Sequence, residues 1–364
     1  MPLRMTLTDL SRFQRQWSAM MSGHGAGLAG HGDGRLQEVA DFGANPGELR
    51  MLQYVPAALP ADAPLVVALH GCAQTASGYD SGTGWSELAE RHGFALLMPE
   101  QVRTNNAQGC FNWFQHADTA RDLGEAASIS RMVATMLAAH PIDPRQVYVT
   151  GLSAGGAMTA GLLASYPELF AGGAIIAGLP FGTASNTQEA IAAMYHSRSL
   201  PAADWGDLVR SASPRRDPRD RPTVSIWHGE ADQTVTPSNA LESAKQWVDV
   251  LGLSAADGVE DRVDGVPHRV WRDKAGVLRV ELYAVPGLAH GAPIDPTAPG
   301  DRGVGHAMPY MLDAGVSSTW HIARSWGLVG PATEHHPRPA ASWLSEPWDL
   351  VARGLRAAGL FNPA

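Results

Sequence analysis

Gly151-Leu152-Ser153-Ala154-Gly155-Gly156 lies directly after the strand-like run Val147-Tyr148-Val149-Thr150 and directly before the helix-like stretch Ala157 to Ser165. That order leaves the chain few ways to fold. In a G-x-S-x-G turn the serine occupies a strained corner between strand and helix, its hydroxyl projects above the sheet edge, and its neighbours must be small enough for the backbone to reverse. Gly151 and Gly155 flank the serine here, and Ala154 and Gly156 add no bulk. The same small residues would also suit a tight turn that packs a helix against a strand, so the motif draws its meaning from its surroundings.

Those surroundings alternate strand and helix. Short apolar runs at Leu49 to Val55, Leu65 to His70, Ala95 to Met98, Val147 to Thr150, Ala174 to Ala177, Thr223 to His228 and Val280 to Val285 suit strands buried on both faces of a parallel sheet. Between them, Trp85 to His92 ends at a C-cap glycine, Gly93, and Leu123 to Ala139 carries Ile129, Val133, Met136 and Leu137 along one stripe. Repeated strand-helix-strand succession predicts an α/β fold: a doubly wound, mostly parallel sheet with helices on both faces. Functional groups in such sheets sit on loops beyond the C-terminal strand ends.

The boundaries are expected near residues 36 and 330. Residues 1–35 read as a peripheral segment, with Leu10, Phe13 and Trp17 at helical spacing and then the Gly-rich tract Ser22 to Gly34, whose His24 and His31 read as solvated loop histidines. Residues 179–221 interrupt the alternation with helix-like stretches at Gln188 to His196 and Ala203 to Arg210 and a charged, Pro-rich run at Ser213 to Pro222, an insertion placed to act as a lid or as a surface excursion. Residues 331–364 form a Pro- and His-rich tail ending in a helix-like segment from Trp348 to Leu360.

Composition narrows the class of partner. The chain of 364 residues is 45% hydrophobic and 17% charged, as in globular proteins, with no run near the roughly 20 apolar residues of a membrane helix. A net charge of −9 disfavours nucleic acid and anionic membrane and suits a small-molecule substrate. No unbroken apolar stretch of signal-peptide length opens the sequence. Two cysteines, Cys72 and Cys110, are too few for a cysteine zinc site, and no metal or other cofactor is expected. They are either free thiols or a bridge closing 38 residues, which would restrict the unfolded chain by about 3 to 4 kcal/mol.

If Ser153 is a nucleophile, an imidazole must take its proton and a carboxylate must hold that imidazole's tautomer, in the chain order Ser, acid, His. Asp232, one loop-length past the strand Thr223 to His228, is the preferred acid, with Glu230 as its competitor. His290, framed by Gly287 and Gly291 after the last strand, is the preferred base over His306 and His321. The tetrahedral oxyanion of acyl transfer needs backbone N–H donors. Ala154 N–H at the helix start is one candidate and Cys72 N–H, in the loop His70-Gly71-Cys72-Ala73-Gln74, is the other. His70 precedes the elbow in the chain and reads as a loop-orienting group rather than a base.

Taken together, Leu69-His70-Gly71-Cys72, Met98-Pro99-Glu100-Gln101, Gly109-Cys110-Phe111-Asn112-Trp113-Phe114, the Ser153 elbow and Trp227-His228-Gly229 to Asp232 resemble the poly(3-hydroxybutyrate) depolymerase family of esterases, related to feruloyl and acetylxylan esterases. The resemblance spans about residues 36 to 328. It implies the α/β-hydrolase fold, a Ser153, Asp232, His290 triad, Cys72 and Ala154 as oxyanion donors, a Cys72 to Cys110 disulfide, and Trp113 as a substrate-contacting aromatic. A Trp between Phe111 and Phe114 also suits core packing. The family and the disulfide favour a secreted or periplasmic setting. The tail carries no Cys-paired or strand-rich binding module, which favours soluble oligomers or small esters over crystalline polymer. The expected activity is a metal-independent serine carboxylesterase acting on short-chain or hydroxyalkanoate-type esters through an acyl-enzyme. Feruloyl or acetylxylan ester hydrolysis, peptide hydrolysis and binding without turnover are the alternatives, and oligomeric state is left open.

Overall fold

Leu65, Val67 and Leu69 belong to one buried apolar cluster and Val66 and Ala68 to another, because successive side chains of a strand point to opposite faces. The same division runs through Val147 and Val149 against Tyr148 and Leu152. The sheet is therefore covered on both sides, which explains why these strands read as continuous apolar runs. The computed structural model describes residues 34–213, 217 and 221–330, with Thr8, Ser11 and Arg15 as isolated positions. The expected segment around Leu10, Phe13 and Trp17, the tract with His24 and His31, most of the charged run before Pro222 and the tail helix Trp348 to Leu360 lie outside the described residues.

The main sheet comprises β1 (Gln37–Val39), β2 (Arg50–Tyr54), β3 (Ala63–Leu69), β4 (Ala95–Glu100), β5 (Ile142–Leu152), β6 (Gly172–Ile176), β7 (Thr223–Gly229), β8 (Val259–Val263), β9 (Val266–Arg272) and β10 (Leu278–Val285). Their spatial order is β1-β2-β4-β3-β5-β6-β7-β10-β9-β8. The strands from β4 to β10 pair in parallel, while β1, β2, β9 and β8 add antiparallel edges. A second small sheet pairs β11 (Ala292–Ile294) with β12 (Met311–Asp313).

Helices cover both faces. Gly124–Ala139, Ala154–Ser165 and Ser238–Val250 pack Ile129, Met158, Leu162 and Trp247 on one side. Ala76–Thr83, Trp85–His92 and Ser318–Ser325 pack Tyr79, Trp85, Leu88 and Ile322 on the other. Gly93, the expected cap, adopts φ 72° and closes its helix by donating to Ala89 O. This is the α/β fold, with a mixed and mostly parallel sheet, that the alternation predicts.

The edge strands depart from the sequence reading. β8 and β9 form a hairpin about Asp264-Gly265, where both residues have positive φ, 50° and 82°. β8 is largely exposed, so it lacks the apolar run by which the central strands were recognised. An Asp-Gly turn between such segments is itself a hairpin signal.

The register of β7 and β10 positions two loops that carry predicted site residues. Tyr283 pairs with Trp227 and Val285 with Gly229, so the chain leaves both strands at the same level of the sheet. The loops carrying Asp232 and His290 consequently start side by side.

Candidate active site

The elbow has the backbone strain its sequence predicts. Ser153 sits at φ 57°, ψ −114°, a region that side-chain-bearing residues seldom adopt and that typically costs about 1–3 kcal/mol. Surrounding contacts hold it there: Ser153 N–H donates to Ile176 O at 2.8 Å, and Ala157 N–H returns to Ser153 O at 2.9 Å as the helix begins. A Cβ on Gly151 would lie 2.4 Å from the Gly155 backbone and 2.9 Å from Leu69 Cβ, and one on Gly156 would approach Ile176 O to 2.8 Å. The motif's glycines are thus demanded by the close approach of β3, β5 and β6.

His290 lies between Asp232 and Ser153. Its Nδ1 is 2.7 Å from Asp232 Oδ2 and its Nε2 is 2.9 Å from Ser153 Oγ. Asp232 Oδ1 accepts the Thr234 and Val235 N–H groups at 2.8 and 2.9 Å. Burial raises the carboxyl's pKa, but the charge of His290 and hydrogen bonds from His228 and His290 outweigh it, so the net shift is well below the ordinary carboxylate range. Glu230 is exposed and stays out of this relay. His306 is exposed beside Ser81 O, and His321 Nε2 meets Asp264 Oδ2 at 2.8 Å.

The loop after β3 is braced from several directions. Buried His70 donates from Nδ1 to Gly71 O at 2.7 Å and accepts from Gln101 N–H at Nε2, 3.1 Å away. Its pKa is lowered by burial, consistent with a neutral ring serving as a brace. Gly71 N–H donates to Gln74 Oε1 and Ala73 N–H to Gln108 O, while Cys72 N–H between them meets no protein acceptor among the described residues. Ala154 N–H opens its helix and has no intrahelical partner. Cys72 and Cys110 form a disulfide, tying this loop to the segment that carries Trp113.

That segment has a polar interior. Glu125 Oε2 accepts Asn112 N–H, and its Oε1 accepts from the side chains of Gln101, Asn112 and Asn105. Burial first, and the Asp118 charge second, push the Glu125 carboxyl up to about 8 against these donors. Trp113 is half-buried and, like Met194, packs against the cluster of Ala157, Leu179, Ala193 and Val235, with Phe114 edge-on at 5.5 Å. It therefore bridges the elbow helix, the Asp232 loop and the inserted region.

Gly71, Cys72, Gln74, Leu152, Ser153, His290 and Tyr310 line a cleft over the elbow. The sequence reading missed Tyr310. Its ring stands edge-on to His290, with centroids 6.2 Å apart, and its backbone has φ 69° in a Met308-Pro309-Tyr310-Met311 turn. Pro followed by a positive-φ residue is a type II turn, a position that normally favours glycine. The Pro309 signal was present, but a bulky residue at the glycine corner concealed it.

A serine at a strand-to-helix elbow, above a parallel sheet covered by helices, is the arrangement of α/β-hydrolase esterases. The profile of the family described as Esterase PHB depolymerase matches residues 50–266. The chain is 45% identical over 296 residues to poly(3-hydroxyalkanoate) depolymerase C of Paucimonas lemoignei, covering 81% of this chain and 70% of that protein. It is 37% identical to feruloyl esterase B of Thermothelomyces thermophilus, over 66% of this chain and 81% of that protein. The solved acetyl xylan esterase from Aspergillus awamori superposes with a TM-score of 0.65 at 27% identity, over 71% of this chain and 94% of that one. The chain belongs to the PHB depolymerase family of esterases and is a carboxylic ester hydrolase.

Proposed function

We propose that this esterase works through an acyl-enzyme on Ser153, with His290 as general base and Asp232 as the carboxylate that orients it. The relay from Asp232 Oδ2 through His290 to Ser153 Oγ, at 2.7 and 2.9 Å, carries the reading. As Ser153 Oγ attacks the ester carbonyl carbon, its proton passes to His290 Nε2, and the imidazolium is stabilised by Asp232. The oxyanion takes hydrogen bonds from Cys72 N–H and Ala154 N–H. Collapse of the intermediate expels the alcohol, which receives the proton from Nε2. Water then enters, gives a proton to the same nitrogen and attacks the acyl carbonyl, releasing the acid and restoring Ser153.

The substrate we assign is a hydroxyalkanoate-type or short-chain ester. The 45% identity to a polyhydroxyalkanoate depolymerase supports this over the feruloyl reading, supported at 37%. Residues 36–330 form the catalytic domain in this proposal, with 179–221 as a cover and the 1–35 and 331–364 segments outside it. Leu179 and Ala193, clustered with Ala157 and flanked by Trp113 and Met194, support a cover that shapes the acyl site. Trp113 is the aromatic we assign to substrate contact.

An ester panel running from acetate through hydroxybutyrate oligomers to feruloyl esters tests the assignment. Hydroxybutyrate oligomers should give the highest kcat/KM, and Ser153→Ala should abolish turnover of every ester while the protein stays folded. A feruloyl ester preferred throughout would replace the substrate assignment, and full activity in Ser153→Ala would remove the mechanism.

A further inference from the structure

The Asp232 carboxylate faces a fourth nitrogen that the acyl-enzyme reading does not use. His228, the last buried side chain of β7 before the Asp232 loop, points its Nε2 at Val235 O, 2.8 Å away, and at Asp232 Oδ2, 3.2 Å away. Carbonyl and carboxylate oxygens only accept, so the ring nitrogen facing them must bear the hydrogen. Nδ1 is buried and has no partner, so a proton placed there would go unmatched. The geometry therefore selects the Nε2–H tautomer, its N–H bonded to Val235 O and turned toward the Asp232 carboxylate.

This hydrogen closes a ring of contacts. Val235 N–H holds Asp232 Oδ1 while Val235 O holds the imidazole that in turn holds Asp232 Oδ2. Oδ2 is also the atom that receives His290 Nδ1 at 2.7 Å. Two imidazoles consequently converge on one carboxylate oxygen, and the side chains of His228 and Asp232 are both almost wholly shielded from water. The titratable groups whose charge the carboxylate feels are these two histidines.

We propose that His228 is a positioning residue for the reaction: it fixes the rotation of Asp232 and draws negative charge from Oδ2, so that His290 accepts the Ser153 proton yet releases it to the leaving alcohol. This rests on the acyl-enzyme reading. Without the His228 donor, Oδ2 holds more charge and keeps the His290 imidazolium too tightly. The acid limb of the pH-rate profile then moves to higher pH, because more of the free enzyme carries a protonated His290.

The test compares wild type, His228→Leu, His228→Gln and Ser153→Ala on a short-chain alkyl ester, followed by titration of released acid. Glutamine places an N–H close to the position of Nε2. His228→Leu should lose about 10-fold or more in kcat with little change in KM, as for a hydrogen bond to a charged group. Its acid limb should rise, and His228→Gln should restore most of both. In wild type, nitrogen-15 NMR should find His228 as the Nε2–H tautomer, a measurement that decides the matter if the Leu variant does not fold. A folded His228→Leu protein with unchanged kcat and acid limb overturns the proposal, as does an Nδ1–H tautomer. Loss of kcat in both variants with an unmoved limb assigns His228 to structure alone and also overturns it. Activity surviving in Ser153→Ala instead overturns the acyl-enzyme reading beneath it, so the two failures are distinguishable.

Discussion

Gly155 packs against the backbone of His70 so closely that a Cβ on it would lie 2.5 Å from the His70 carbonyl oxygen. This contact joins the helix that follows Ser153 to the end of β3, from which the Cys72 loop departs. The spacing of the two proposed oxyanion donors is therefore set by the absence of one methyl group. Gly155→Ala should force these elements apart and destabilise the protein by about 1–3 kcal/mol, as overpacking does. Ester turnover should fall further than the folded fraction does. A folded Gly155→Ala protein with wild-type kcat/KM would show that the donor spacing is not critical.

The Cys72–Cys110 bridge should act on both stability and rate. It closes a separation of 38 residues, which on the loop-entropy account stabilises the fold by about 3 to 4 kcal/mol. Reduction, or Cys72→Ser with Cys110→Ser, should lower Tm and also kcat, since the bridge braces the loop whose Cys72 N–H is a proposed oxyanion donor. Thermal unfolding and ester kinetics on the same reduced sample would separate the two effects. Unchanged kcat in the folded, reduced enzyme would leave the bridge with a purely stabilising role.

Glu125 predicts a slope in stability on the alkaline side of its unfolded pKa. Burial, then Asp118, raise its folded value to about 8 from an ordinary value of 4.5. The folded chain therefore holds a proton that the unfolded chain has released, and stability is lost as pH rises from about 4.5 through about 8. Glu125→Gln cannot ionise and should flatten that part of the Tm-against-pH curve, although it also weakens the hydrogen bond from Asn112 N–H. An unaltered slope in the variant would assign the ionised form to Glu125 throughout.

His268 makes a second prediction about pH, at the opposite edge of the sheet from β1. Its Nδ1 faces Asp261 Oδ1 at 2.7 Å and its Nε2 faces Glu281 Oε2 at 3.1 Å, while its ring stacks on Tyr283 at 4.1 Å. Burial alone would lower its pKa, but hydrogen bonding and charge from Glu281, then Asp261, raise it above the ordinary value. The resulting stabilisation is complete below an unfolded pKa of about 6.5 and is lost as pH rises through the higher folded value. His268→Gln should have lower Tm than wild type at acidic pH and approach it at alkaline pH. A gap that widens with pH would reverse the assigned charge state.

What could be read along the chain divides along a physical line. Strands β3 to β7 and β10 were legible because burial on both faces demands continuous apolar runs, whereas exposed β8 has charged and polar side chains. The helix Ser238–Val250 went unread although Ala240, Ala244, Trp247 and Val248 share its buried face, because Asn239, Glu242, Ser243 and Gln246 are buried too and blur the apolar period. Glu242 and Gln246 are buried because they bind Trp205 Nε1 and the Phe181 backbone in the inserted region. No periodicity within one helix anticipates partners supplied by another segment.

The sequence by itself determined the elbow. Small residues around Ser153 and an apolar strand before it form a pattern expressed within a dozen residues, and the glycines leave the backbone free to take the strained corner. It also contained Ser153, Asp232 and His290 in an order suited to such a sheet, together with rival acids and histidines that local pattern could rank but not exclude. Tertiary structure decided which of them meet. His290 and Asp232 are 58 residues apart in the chain and His290 and Ser153 are 137 apart, and the register of β7 against β10 brings their loops together. The turn after β7 returns Asp232 to the side of His228, four residues earlier, and a strained turn swings Tyr310 to the cleft. Hydrogen bonds act over about 3 Å, so their partners are chosen by where the packed sheet delivers each loop.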